Sequence, residues 1–331
     1  MIDSIKLLAT ASISAVLLLS GCAVGGGQPS WISATPENYP EEKYLTASAS
    51  ADEQTSADSR ALANLARIFE VSIEDSAIDF SQATVTTAGD TRQVNNEQRA
   101  ARSVNTFAGQ ILEGAKVVAH WRAETGPHFS LAALEKAPAA KRFRDAIRNI
   151  DQQTDDLRDY AVNQANNPVA ALSALDKARL LQLERAQLNR NLSVLTGNGL
   201  PSKNSAALIE TQIREALAVL VFDVNTTPAE LNADLQAAIA SLGSKVSASS
   251  AYIIEGVLDT EPVEKKQDWY WLRGSLELSL VKNGQTQAKQ RWPIKVSATD
   301  KGMVAQRAKD QLAGKLTNYL YQLFTAEKIS Q

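Results

Sequence analysis

The chain has 331 residues but only one cysteine, two histidines and two methionines. One cysteine excludes an internal disulfide, so the folded parts must rest on apolar cores. His120 and His128 flank the Gly126-Pro127 turn, yet no third ligand cluster accompanies them, and no metal site is expected. Glycine-rich phosphate loops and Gly-x-Ser-x-Gly elbows are missing, as is any nucleophile with a base nearby in the sequence. The expectation is a protein that is not an enzyme and carries no catalytic residue and no dissociable cofactor. Lys and Arg number 34 against 37 Asp and Glu, with no basic tract, which argues against nucleic acid as a partner. Carboxylates such as Asp155, Asp156 and Asp159 read as a solvated helix face.

Long apolar runs are missing too. The compact one, Leu7–Leu19, is shorter than the about 20 residues a spanning helix needs. It follows Lys6 and leads into Leu19, Ser20, Gly21 and Cys22, the order of a lipobox. A lipoprotein signal needs a branched residue, then small residues, then a cysteine whose thiolate takes a diacylglycerol thioether. Residues 1–21 are therefore expected to be a cleaved lipoprotein signal peptide, with diacylglycerol and an N-acyl chain on Cys22. The alternatives are a buried apolar helix with a chance cysteine, or a plain secretory signal cut before a free Cys22. Neither Ala23 nor Val24 is the aspartate common in lipoproteins kept at the inner membrane. Similarity to sorted lipoproteins thus implies the outer membrane, periplasmic face, lipid-anchored. Residues 22–30 form the lipidated cysteine and a glycine-rich tether, whose flexible part reaches about 15 Å.

From Tyr44 to Ala51 small and polar residues alternate as in a strand. Asp52 is a plausible cap for a helix carrying Ala57, Ala61, Leu62, Leu65 and Ala66. Ile68–Asp75 alternates again and predicts a strand, and 84–99 reads as a loop. Ala115–His120 and Phe129–Leu134 predict two strands around a turn. Pro29-Ser30-Trp31, Tyr44-Leu45-Thr46-Ala47, the helix from Ala57 to Ala66 and the strand pair from Trp121 to Leu134 resemble the LPP-twenty lipoprotein family. The resemblance spans about residues 29–135. It departs from the pattern at Ser48, Ala49 and Ser50, where a glycine is expected. It implies a small α+β module of periplasmic lipoproteins, some of which serve the flagellar motor or envelope integrity.

Residues 137–198 predict a long helical hairpin. Phe143, Ile147, Ile150, Thr154, Leu157 and Ala161 make a narrow seam, and Asn166-Asn167-Pro168 breaks it. Leu172, Leu175, Ala178, Leu181, Leu188, Leu192 and Leu195 continue on a second helix. Such a coiled-coil-like hairpin either packs flat on a domain or projects as an arm for assembly. Gly197-Asn198-Gly199-Leu200-Pro201 reads as a linker.

Residues 199–331 predict a second α+β domain, a sheet with helices on one face. Its long hairpin places Tyr270, Leu272, Gly274, Leu276, Leu278 and Leu280 on an apolar face with Ala288, Gln290, Trp292, Ile294 and Val296. A three-residue loop of Lys282, Asn283 and Gly284 keeps the faces apart. It would set Glu277 opposite Lys289 and Trp292 over Gly274. Trp269, Trp271 and Arg273 fall on the other face, either as an interaction patch or under the final helix or preceding loop.

The fold class expected is therefore α+β. Two small α/β-layer domains, 31–136 and 199–331, have antiparallel-rich sheets with packed helices and are joined by the hairpin. The function expected is that of an envelope interaction or assembly module with a periplasmic protein partner or further copies of itself. The alternative is an activator of a peptidoglycan synthase.

Overall fold

Small side chains let a helix lie close on the first sheet. The computed structural model describes residues 27–85, 113–124 and 126–326. Strand β1 is Tyr44–Ala51, β2 is Lys116–Arg122 and β3 is His128–Glu135, in the antiparallel order β1-β3-β2. Helix α1 runs Gln54–Val85 and buries Ala57, Ala61, Leu65 and Phe69. Alanines on both surfaces, Ala47 opposite Ala132 among them, permit that approach.

The strand expected over Ile68–Asp75 is helical instead. Its apolar residues fit two periods, and Phe69 extends the Ala61-Leu65 stripe by one more turn, so burial favours the helix. Thr84 and Val85 end α1 rather than open a loop, and the rest of that segment lies outside the described residues.

Helix α2, Lys136–Asp159, continues straight from β3, and a π-helical turn at Tyr160–Gln164 ends it. Helix α3, Pro168–Thr196, starts where expected. Asn167 Oδ1 accepts from the Ala170 N–H at 2.9 Å, and Pro168 takes the first turn, where no N–H is needed. The predicted seam forms, with Phe143, Ile147, Ile150 and Thr154 buried.

The hairpin does not project. Its open end (Phe143, Ile147, Ile150, Leu188, Leu192 and Leu195) joins the core under the first sheet. Its turn end, with Val169, Leu172, Leu175 and Ala178, belongs to the core of the second sheet. Helix α3 is thus a brace shared by two cores.

The expected linker is also tied down. Gly197 closes α3 in the left-handed region (φ 77°). Residues 198–205 then run back along α3 as a strap. Asn189 Oδ1 accepts from Leu200 N–H (2.6 Å), Arg185 donates to the Pro201 carbonyl (2.7 Å), and the Ser202 hydroxyl donates to Gln182 (3.2 Å). Asn204 donates to Asp155 of α2 at 2.7 Å and, together with Lys203, holds that carboxyl below its usual range. Proline and glycine in this segment mark irregular backbone, and the polar edge of α3 supplies its partners.

The second sheet follows with α4 (Ala206–Ala218), β4 (Val221–Thr227), α5 (Leu231–Ser241), β5 (Lys245–Val246) and β6 (Tyr252–Thr260). Then come β7 (Glu264–Lys266), β8 (Trp269–Lys282), β9 (Gln285–Ala298) and α6 (Lys301–Thr325). The strand order is β5-β4-β6-β8, with β7 and β9 also paired to β8. Strand β4 is parallel to β5 and β6, and the other pairs are antiparallel. The chain is therefore a mixed α+β protein with antiparallel-rich sheets, as expected. Helix α6 begins at Asp300, whose carboxylate accepts from the Gly302 and Met303 N–H groups.

The β8–β9 faces divide as predicted, but the register differs by two residues. The turn is the two-residue Asn283-Gly284, both at positive φ (51° and 75°), as a type I′ turn requires. A bulge then leaves Gln287 unpaired, between Val281↔Thr286 and Leu280↔Ala288. The extra residue restores the parity that a two-residue turn alone would break. Glu277 thus faces Arg291, although Lys289 still reaches it diagonally at 2.7 Å. Trp292 lies opposite Leu276, not Gly274. Gly274 has another reason to be glycine, since a Cβ there would meet the Asp259 carbonyl oxygen at 2.3 Å.

Candidate functional site: an uncovered sheet face

The inward side chains of the second sheet, Phe222, Ile254, Leu276, Leu278 and Ile294 among them, lie under α4, α5, α6 and the turn end of the brace. Phe222 stacks on Phe324 of α6 with ring centroids 4.7 Å apart. Strand alternation therefore puts Trp269, Trp271 and Arg273 on the face away from the helices.

The final helix does not cover them. It lies on the opposite face, where Trp292 stacks on Tyr319 at 4.3 Å and its Nε1 donates to Gln322 Oε1 at 3.0 Å. The segment before β8 does not cover them from above either. It forms β7 at the edge of β8, with Glu264 opposite Trp271 and Lys266 opposite Trp269. Trp269 is 44% exposed, and Trp271 is half-buried, with Lys295 Nζ 5.4 Å from its ring centroid.

Arg273 is exposed and directly opposite Lys295. Like charges facing each other across strands repel, and neither cation makes an ion pair with a described residue. The neighbouring cations are partnered. Lys289 pairs with Glu277, and Arg291 donates to the Ser275 hydroxyl at 2.8 Å with Asp259 at 3.9 Å. The unbalanced positive charge therefore lies beside the two tryptophans.

A second polar group forms on the first sheet, and the linear sequence did not reveal it. Asp58 Oδ1 accepts from Ser130 Oγ (2.5 Å), Gln54 Nε2 (2.8 Å) and His120 Nε2 (2.9 Å). Together these hold the Asp58 carboxyl below its ordinary value. The Ser130 hydroxyl is the largest cause, partial burial works against it, and Gln54 and His120 add to it. Serine, histidine and aspartate thus meet, but the carboxylate stands between the other two. The Ser130 hydroxyl gives its proton to Asp58, and Ser130 is fully buried. Activation of a nucleophile needs the imidazole beside the hydroxyl, so the cluster is built to pin α1 to β2 and β3. The only hint in the sequence is Gln54 and Asp58, four residues apart on a helix otherwise lined with alanine.

His128 Nδ1 lies 3.2 Å from Gln54 Oε1, so the two imidazoles face different partners. Among the described residues no group of three or more His, Cys, Asp or Glu is arranged to hold a metal ion. No described helix is long and apolar enough to cross a membrane. Leu19, Ser20, Gly21 and Cys22 lie outside the described residues.

The chain is similar to the crystal structure of the secreted protein HP1454 from Helicobacter pylori, at 13% identity and a TM-score of 0.41, over 86% of this chain and 99% of that one. It is also similar to a minor lipoprotein from Acinetobacter baumannii, at 13% identity and a TM-score of 0.26, over 31% of this chain and 90% of that one. No curated protein matches it. Residues 29–135, which hold the first sheet and α1, match the family model described as LPP20 lipoprotein.

Proposed function

We propose that the chain is a non-catalytic envelope lipoprotein, anchored through Cys22 in the outer membrane with its domains in the periplasm. It acts as a protein-interaction module through the uncovered face of the second sheet. The family match and the lipobox support the anchor. The observation that carries the interaction reading is Trp269 and Trp271 beside Arg273 and Lys295, cations with no ion pair among the described residues, on a face that no described helix covers. Aromatic and arginine side chains with a partly desolvated surround are the usual anchors of a protein interface. The hairpin seam is spent inside the molecule, so self-assembly through that seam has no surface left to use.

The test places a photo-crosslinking residue at Val257, on the same uncovered face and 45% exposed, in the full-length protein in cells. A discrete crosslinked partner is expected, and Trp269→Ala with Trp271→Ala should abolish it. Crosslinks that persist unchanged in that variant would overturn the reading. If the partner is a peptidoglycan synthase, the tryptophan pair supports the second reading, an activator. Purified synthase should then run faster with the wild-type protein and not with the double variant.

A further inference from the structure

Strand β1 is an edge of the first sheet, paired only to β3 among the described residues. Helix α1 runs beside that edge, and Arg60, Ala63, Asn64 and Arg67 make one stripe along it. Arg60 Nη1 donates to the Ser50 carbonyl (2.9 Å), and Asn64 Nδ2 donates to the Ser48 carbonyl (3.0 Å). Arg67 Nη1 in turn donates to Asn64 Oδ1 at 3.3 Å. A groove of about 320 Å³ opens between stripe and strand, lined by Ala49, Ser50, Arg60, Ala63, Asn64 and Arg67. It exists because alanines at 49 and 63 leave its floor low.

The groove is rich in donors. In an antiparallel ladder the N–H and C=O of one residue point to the same side. The carbonyls of Ser48 and Ser50 reach α1, so their N–H groups face the open edge as well. Arg60 and Arg67 form no ion pair with a described residue, and each guanidinium keeps further N–H groups to offer. The Ser48 and Ser50 carbonyls and the Asn64 amide oxygen already hold one hydrogen bond each. The ligand must therefore bring acceptors and negative charge.

Spacing decides its form. The Ser48 and Ser50 N–H groups lie about 6.8 Å apart along the strand, too far for one carboxylate. The same spacing separates alternate carbonyls of an extended chain. A carbonyl oxygen can accept a second hydrogen bond, so Ser48 and Ser50 can still receive the N–H groups of an added strand. The side chains gripping the edge blunt it against indiscriminate pairing. The cations Arg60 and Arg67 beside it admit an acidic strand.

We propose that the open edge of β1 takes an extended acidic peptide from a partner protein as a fourth strand, its carboxylates meeting Arg60 and Arg67. This site is separate from the uncovered face of the second sheet, so either can fail alone. The probe is a displayed library of random decapeptides, panned against the full-length protein. Selected peptides should be poor in proline and carry Asp or Glu at alternate positions. Arg60→Gln with Arg67→Gln should weaken the best peptide about tenfold or more, and that peptide should slow amide exchange at Ser48 and Ser50. Unchanged melting of the variant shows that the loss is local, because both arginines are exposed. No enrichment, or equal binding by the variant, overturns the proposal. So does displacement of the peptide by millimolar inorganic phosphate with no change in Ser48 and Ser50 exchange, which would mark an anion pocket only. Arginine-dependent binding to phosphatidylglycerol vesicles without peptide selection would assign the groove to the membrane surface and equally overturn it.

Discussion

Asn167-Pro168 and Asp300 are helix caps whose chemistry acts within three residues. Gly274 stood out as a gap in the apolar face, but its cause was hidden. The chain from Asp259 to Thr260 crosses it, 14 or more residues away in sequence. Gly274→Ala should therefore lower stability by about 1–3 kcal/mol, as overpacking against backbone does, read from the urea midpoint. Asp58 shows the opposite failure, because its partners Ser130 and His120 come from distant strands. Its carboxyl is held below the ordinary value, so near pH 4 the folded state binds fewer protons than the unfolded one. The stabilisation is complete above the unfolded pKa of about 3.9 and fades as pH falls through the lower folded value. Asp58→Asn should remove that part of the acid slope, so that wild type and variant converge in stability toward low pH. Equal slopes across pH 2–6 would refute the role assigned to Asp58.

At the scale of elements, periodicity served best where one period fitted. The hairpin seam follows 3.6-residue spacing over many turns and was legible throughout. Ile68–Asp75 fitted both periods, and only the buried position of Phe69 chooses between them. In β8–β9 the face assignment followed from alternation, whereas the register depended on one unpaired residue, Gln287, which alternation alone cannot locate. The polar stripe of α3 runs against the rule that charged residues face water. Asp176, Arg179, Gln182 and Arg185 recur every third residue and are all buried, because the strap, α2 and α6 cover them. Asp176 Oδ1 accepts from Arg179 Nη2 (2.8 Å) and from the Tyr321 hydroxyl (2.7 Å). Asp176→Ala leaves the buried Arg179 cation facing only the partly exposed Glu210, 3.9 Å away, as counter-charge and should cost about 2–4 kcal/mol. Adding Arg179→Met should return most of that loss, and a double variant no more stable than the single one would contradict this account.

Because α3 belongs to both cores, the whole molecule should unfold as one unit. The sequence showed two sheet modules and a helical hairpin between them. It did not show that the hairpin is internal, since an apolar seam looks the same whether it meets a neighbour or its own chain. Urea unfolding followed by tryptophan fluorescence and by far-ultraviolet circular dichroism should give coincident, single transitions. Two separated transitions would mean that the brace does not couple the cores. Removing residues 137–198 should leave a chain that no longer unfolds cooperatively, because each sheet loses part of its floor. The brace also has a consequence for evolution. Three lengths of chain run side by side between the two sheets: α2, α3 and the strap from 198 to 205. Moving the sheets apart by two helical turns, about 10 Å, takes seven residues in each helix and about three in the extended strap. No one insertion achieves it, and any insertion made alone breaks the match between the three. The separation of the two sheets is therefore a quantity that mutation can change only in concert, and it should drift far more slowly than the surfaces at either end.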